Sequence, residues 1–451
     1  MTNVVIILKN FWVRRFISNF NFLSFNLIIN FIQTSLLILL IGIKEYGVYQ
    51  FVLTFILLSE VVKSLDSVVE RLHDSKKKSS SIILNSIIYN KILFYSLFIP
   101  IIYFVITKLN LNSEILDSKI LFLILIFFTV ESFSLTFNYI LISIGKLKIL
   151  NFIIITKNII LVVVLIILYF LNPKVKIIFN IFIYTNLLLS IICLFFLMLF
   201  SEIKFKISKK NFKYKVLKFI YNKKFKRISI PILFTVISGY FKNYFVSIFF
   251  GIRGEFENVT ITRLIIQISA AMHKILVGSI NRFLPEIKND YKNINISKII
   301  RYNYFFIYIS IIPYSFVFLF ICFYFKYFLN YKLSNEIFLF ITLIGIGYNI
   351  ASHAQKYVMI LKLELKYFFG YFTSPANFII LPLAIYYLGD KYNILGIGIS
   401  YIISNIFMHL VLMSFYILAT NNYKSIINLL HSLIALFVYF IFCNSIKNLF
   451  L

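Results

Sequence analysis

The sequence predicts an all-α polytopic membrane protein: two six-helix bundles related by a pseudo-two-fold axis along the membrane normal, with an additional C-terminal helix. Three observations carry this expectation. Of the 451 residues, 61% are hydrophobic and only 14% are charged, and the mean hydropathy is +0.92. A soluble domain is nearer half apolar, and so few charges cannot cover a chain of this mass with a water-facing surface. Apolar runs of about 20 residues recur, the length at which a helix crosses a hydrocarbon core of about 30 Å. Backbone groups in lipid have to be satisfied within their own segment, which selects helices for these runs.

In chain order the runs predict helices at 20–43, 47–69, 82–107, 119–144, 149–171, 176–200, 228–250, 255–285, 300–327, 334–361, 366–388, 393–419 and 425–447. Residues 1–19 form an N-terminal segment, 20–200 a first six-helix lobe, 201–227 a basic linker, 228–419 a second lobe, and 420–451 the additional helix. Both lobes hold an even number of spans and begin on the same side, as in transporters built from parallel repeats. Lys and Arg orient the chain. Lys9, Arg14 and Arg15, then Arg71 and Lys76–Lys78, then Lys146 and Lys148, the cluster Lys204–Arg227, and Lys288–Arg301 fall on one side, with Lys362, Lys366 and Lys424. The opposite loops hold less than half as many, so the positive-inside rule places the N-terminus in the cytoplasm.

The formal net charge is +29. Ile, Asn, Lys, Phe and Tyr all run high, a compositional bias that contributes to it, and the linker can act as a tether to anionic headgroups. Basic residues are spread over short loops and helix interiors rather than gathered in one soluble module, which argues against nucleic-acid binding. Cys193, Cys322 and Cys443 sit unpaired in apolar runs, and the five histidines show no ligand spacing. No disulfide framework, metal site or cofactor is expected. The apolar stretch Val4–Leu8 is followed rather than preceded by its basic residues, so no cleavable signal is expected.

Ionisable residues within the spans are the informative feature, because each costs roughly 2.5–3.5 kcal/mol at a helix centre and usually faces a cavity or a partner. Arg263, Gln267, Lys274 and Asn281 on the eighth span fall within about 40° of one another at 100° per residue, one polar stripe along the helix. Asn349, Ser352, His353 and Lys356 share a face of the tenth span, and Asn26, Asn30 and Gln33 one of the first. Glu131, Ser134 and Asn138 share one of the fourth, and Lys242 lies in the seventh. Together these predict a water-filled cationic cleft between two bundles. Guanidinium groups suit phosphate in particular, while the structural alternative for the amides is interhelical hydrogen bonding. Glu60, Lys63 and Asp66, spaced by three, form either an i,i+3 ion pair or proton-coupling carboxylates. Glu131, whose own helix offers no cation nearby, is the better coupling candidate.

Short motifs add a family resemblance. Ile41-Gly-Ile-Lys-Glu-Tyr-Gly-Val-Tyr49 resembles the turn between the first two helices of polysaccharide flippases of the multidrug/oligosaccharidyl-lipid/polysaccharide exporter superfamily, the O-antigen type. Ile228-Ser-Ile-Pro231 is similar to that family's start of helix seven, and Asn281-Arg-Phe-Leu-Pro285 to its end of helix eight. The resemblance covers roughly residues 15–420. One departure is that Lys242-Asn243 stands ahead of Phe250-Gly251 where many members carry an acidic-basic pair. The resemblance implies a non-enzymatic flippase in polysaccharide biosynthesis that moves an undecaprenyl-pyrophosphate-linked oligosaccharide across the inner membrane. Its partners would be that anionic lipid, the surrounding membrane lipids, and polysaccharide polymerase and chain-length machinery. Arg263 and Lys274 would meet the pyrophosphate, helped by Lys242 and Lys356.

Two other classes compete. A membrane-embedded polysaccharide polymerase or glycan transferase would call for catalytic residues on large outer loops, and the loops here are short, without paired carboxylates or a nucleophile elbow. A drug/cation antiporter of the same superfamily needs an anionic site, against the positive balance of the interior.

Overall fold

A computed structural model describes residues 11–59, 80–109, 111, 113–143, 145–201, 223–281, 296–354, 374–420 and 425–451. All regular structure among them is helical: α1 (Phe11–Ile41), α2 (Ile43–Ile56), α3 (Ser80–Lys108), α4 (Ser118–Ser143), α5 (Leu147–Leu171), α6 (Val175–Phe200), α7 (Lys223–Ile252), α8 (Phe256–Asn281), α9 (Ile296–Phe323), α10 (Asn335–His353), α11 (Leu381–Thr420), α12 (Ser425–Ser445) and the short α13 (Lys447–Phe450). Among the described residues, nine helices are long and apolar enough to cross a membrane, and shorter apolar runs cover Ile28–Ile41 and Leu429–Ser445. Large apolar side chains such as Phe152, Phe170 and Leu418 are more than 70% exposed, a surface that suits hydrocarbon rather than water.

Turn chemistry sets the helix ends. Gly42, Gly145 and Gly254 take positive φ between α1 and α2, α4 and α5, and α7 and α8, a conformation that only glycine adopts without a Cβ penalty. Asn172 closes α5 in the left-handed region, its N–H donating to the Leu168 carbonyl, and Pro173 follows, as helix C-termini favour. Ser334 accepts from the Ile337 N–H at 3.3 Å and caps α10. α1 starts at Phe11, ahead of the predicted span at residue 20. Arg14 and Arg15 are good helix formers and no Gly or Pro precedes Gly42, so loss of apolarity does not end the helix. The spans predicted at 366–388 and 393–419 meet within α11, where Asn393 breaks the helix at φ 51°, ψ −130°.

The chain divides into two compact units, Met1–Asn222 and Lys223–Leu451. In the first, α4 packs on α6 and α1 on α5. Fully buried Lys91 of α3 donates to the Ser132 carbonyl at 2.7 Å and to Thr136 Oγ1 at 2.8 Å, tying α3 to α4. At the start of α4, Asp117 Oδ1 accepts from the Ile120 N–H at 2.9 Å, and its other oxygen lies 3.1 Å from Lys176 Nζ, at the start of α6. The Ile120 N–H and the Lys176 ammonium hold its carboxyl below the usual carboxylate range.

In the second unit α10 is the central helix, packing on α8, α9, α11 and α12. Small residues let the backbones close in. Gly347 faces Tyr401 and Asn405, Gly398 faces Leu343, and a Cβ added at Gly345 would stand 2.1 Å from the Tyr439 hydroxyl oxygen. Ala435, Tyr439 and Cys443 of α12 are buried, so the additional helix is seated on α9 and α10.

Gly345→Val drives a methyl into a rigid buried tyrosine, and overpacking of this kind costs about 1–3 kcal/mol. The expected result is displacement of α12, read as faster alkylation of Cys443 by a membrane-permeant maleimide while Cys193 is unchanged. A second outcome concerns pH. A carboxyl held low in the folded state stabilises above its unfolded titration point and stops doing so as the pH falls through its folded one. The melting temperatures of wild type and Asp117→Ala therefore differ at neutral pH and converge below about pH 4.

Candidate functional site

Each unit holds a polar centre, and the two differ in charge. In the first unit, α1, α2, α4, α5 and α6 surround a cavity of about 560 Å³. Asn26, Asn30 and Gln33 of α1 line it, as do Glu131, Ser134 and Asn138 of α4, so the two stripes read from the sequence converge. Asn158 of α5 donates to Asn26 Oδ1 at 2.8 Å, and Gln50 of α2 donates to the Tyr46 hydroxyl at 2.6 Å. Lys157 of α5 pairs directly with Glu131 Oε1, donates to Ser190 Oγ at 2.8 Å, and lies 5.3 Å from the Phe127 ring centre. The cation comes from the neighbouring helix, which inspection of α4 alone does not reveal.

In the second unit the centre is cationic. Arg263 of α8 is 6% exposed. Its guanidinium donates to the Asn243 carbonyl of α7 and to the Gln267 side-chain oxygen at 3.1 and 3.2 Å, and it lies 4.1 Å from the Tyr244 ring centre. Lys242 of α7 donates to Asn405 Oδ1 of α11 at 3.3 Å and stands 5.0 Å from the Tyr348 ring centre. Tyr401 donates to the Lys242 carbonyl. Neither cation forms an ion pair with a carboxylate among the described residues. Both are held by neutral oxygens and aromatic faces, an environment that supports a desolvated cation without cancelling its charge.

The remaining sites fall out differently. Lys274 is exposed, because α8 is covered by its neighbours over residues 256–266 and less so beyond. Its neighbour His273 turns inward and meets Ser352 Oγ at 2.9 Å. The shared face of Asn349, Ser352 and His353 is present, but all three are buried and knit α10 to its neighbours rather than line an opening. Ser310 of α9 donates to Asn349 Oδ1 at 2.8 Å and meets His353 Nε2 at 3.0 Å, and Tyr314 meets Ser352 at 2.7 Å. Asn281 ends α8, and Glu60, Asp66 and Lys356 lie outside the described residues. Asn158, Asn186 and Ser190 line the first cavity without having been expected there. The polar-stripe criterion applied to the fifth and sixth spans finds them, since each interrupts an otherwise apolar run. The tyrosines around Arg263 and Lys242 carry no such signal among 31 tyrosines.

The Glu131–Lys157 pair is partly buried, with side-chain exposures of 35% and 13%, so removing one partner strands a charge. Lys157→Met is expected to lower stability by about 1–3 kcal/mol, and Glu131→Gln added to it is expected to restore most of the loss. Melting of the detergent-solubilised protein measures this, and additive losses would show that the pair is not coupled.

No protein-family model matches the sequence, and no curated protein does. Solved structures do share the fold. A multidrug-resistance MATE family transporter of the MOP superfamily, in an inward-facing conformation, matches with TM-score 0.58 and 14% identity over 88% of this chain and 96% of its own. The lipid II flippase MurJ, in an inward closed conformation, matches with TM-score 0.57 and 16% identity over 94% and 99%. The eukaryotic MATE transporter AtDTX14 matches with TM-score 0.55 and 12% identity over 95% and 99%. At these identities the likeness is one of fold: an all-α polytopic membrane architecture.

Proposed function

We propose that this chain is a transporter of the superfamily whose fold it shares, and that it moves an undecaprenyl-pyrophosphate-linked oligosaccharide across the bacterial inner membrane. The observation that carries this reading is the pair of cations in the second unit, buried Arg263 and half-buried Lys242. They are held by Asn243, Gln267, Asn405 and the rings of Tyr244 and Tyr348, with no ion pair to a carboxylate among the described residues. Desolvating such charges costs free energy, and beyond the helix tethering that Lys91 performs in the first unit such groups serve to meet an anion. Guanidinium and ammonium groups together suit the oxygens of a pyrophosphate. One of the matching structures is named a lipid II flippase, which agrees with a lipid-linked cargo.

The MATE structures favour a second reading, drug/cation antiport. Such a site needs an uncompensated carboxylate, and Glu131 is already neutralised by Lys157. In the flippase reading Glu131 keeps its place as the coupling candidate through its pair with Lys157. A polymerase or transferase would require a reactive constellation; in the described residues of the two centres the hydroxyl of Ser190 meets Lys157, whose ammonium is paired with Glu131 and so is no base. Alternating access is the mode of transport that such two-lobed repeats support.

In proteoliposomes loaded with an undecaprenyl-pyrophosphate-linked oligosaccharide, the purified chain is expected to move the glycan to the opposite leaflet, read by an impermeant lectin. Arg263→Ala combined with Lys242→Ala is expected to reduce the rate at least tenfold, while Arg263→Lys retains part of it. Undiminished transport by the double variant, or efflux of an organic cation at a comparable rate, would sink the reading.

A further inference from the structure

We propose that the cavity of the first unit is a binding site for a neutral, hydroxyl-rich ligand, a sugar ring of the cargo, and that it does not hold phosphate. The inference rests on the flippase reading for its cargo and deepens it by assigning the glycan to a set of residues.

Charge is the first argument. Of the residues lining the cavity, only Glu131 and Lys157 are ionisable at neutral pH, and they are paired with each other. The site therefore offers no net field to a pyrophosphate or to an organic cation. Unlike the second unit, it selects by hydrogen bonding and shape.

The second argument is what the cavity lacks. Among the described residues, Asn138 Oδ1 and Asn186 Oδ1 are buried acceptors without a hydrogen-bond donor, and Asn186 is only 6% exposed. A buried carbonyl oxygen left without a donor is costly, so both call for a group that can give a proton in a hydrogen bond. Ionised phosphate oxygens only accept; a sugar hydroxyl donates and accepts at once. Asn30 and Gln33, on the facing stripe of α1, carry amide groups that do the same. Phe128 adds an apolar wall for the ring carbons. The volume, about 560 Å³, lies within the range of small-molecule pockets.

The test uses the full chain in nanodiscs and saturation-transfer NMR with methyl glycosides of glucose, galactose, N-acetylglucosamine and rhamnose. Inorganic pyrophosphate and tetraphenylphosphonium serve as contrasting probes. At least one glycoside is expected to bind, undisturbed by pyrophosphate, and to weaken at least tenfold in Asn186→Leu. Ser134→Trp, whose native hydroxyl bonds only within its own helix, fills the cavity and is expected to abolish binding; it carries the test if Asn186→Leu does not fold. The inference is overturned if no glycoside binds, if binding survives Ser134→Trp, or if tetraphenylphosphonium binds in place of the sugars. The two readings fail separately. Wild-type translocation by Ser134→Trp removes the sugar site and leaves the flippase standing, whereas glycoside binding without any translocation removes the flippase and leaves the site.

Discussion

A charge inside hydrocarbon has to be met by something, and each unit of this protein meets its charges in a different way. The first unit brings Lys157 of α5 to Glu131 of α4, cancels both, and surrounds the pair with amides and hydroxyls. The second unit leaves Arg263 and Lys242 positive, supported by carbonyl oxygens and tyrosine rings.

The helices that carry these groups are held by ordinary membrane packing. α10 runs through the centre of the second unit because Gly345, Gly347 and, facing it from α11, Gly398 remove side chains where neighbours press closest. That close approach brings Tyr348 of α10 beside Lys242 of α7 and lets Ser352 reach Tyr314 and His273. Packing and function are therefore linked through small residues: without them the aromatic support of the two cations would be displaced. In the first unit the same link runs through α1 and α5, whose contact is marked by the hydrogen bond from Asn158 to Asn26 at the cavity wall.

The first unit holds a polar cavity whose charges are paired, and the second a centre whose cations are not paired with carboxylates among the described residues. The fold is common to proteins named as drug transporters and as a lipid II flippase, so fold alone does not choose between cargoes. On the reading proposed above, the choice comes from the charges, which suit an anion.

The all-α class and the membrane environment were legible in the chain, because hydrocarbon imposes one backbone solution on every span. The stripes on the first and fourth spans were legible too: polar residues on one helix face stand out when every other face is apolar. Pairing between helices was not. Lys157 could have faced lipid headgroups or any neighbour, and only the packing of α4 against α6, with α5 alongside, brings its ammonium to Glu131 and Ser190. The face of Asn349, Ser352 and His353 was predicted as a face, yet tertiary contacts with Ser310 and Tyr314 made it a seam. Local periodicity determines which side of a helix is polar; the partner helix determines whether that side binds a ligand or its neighbour.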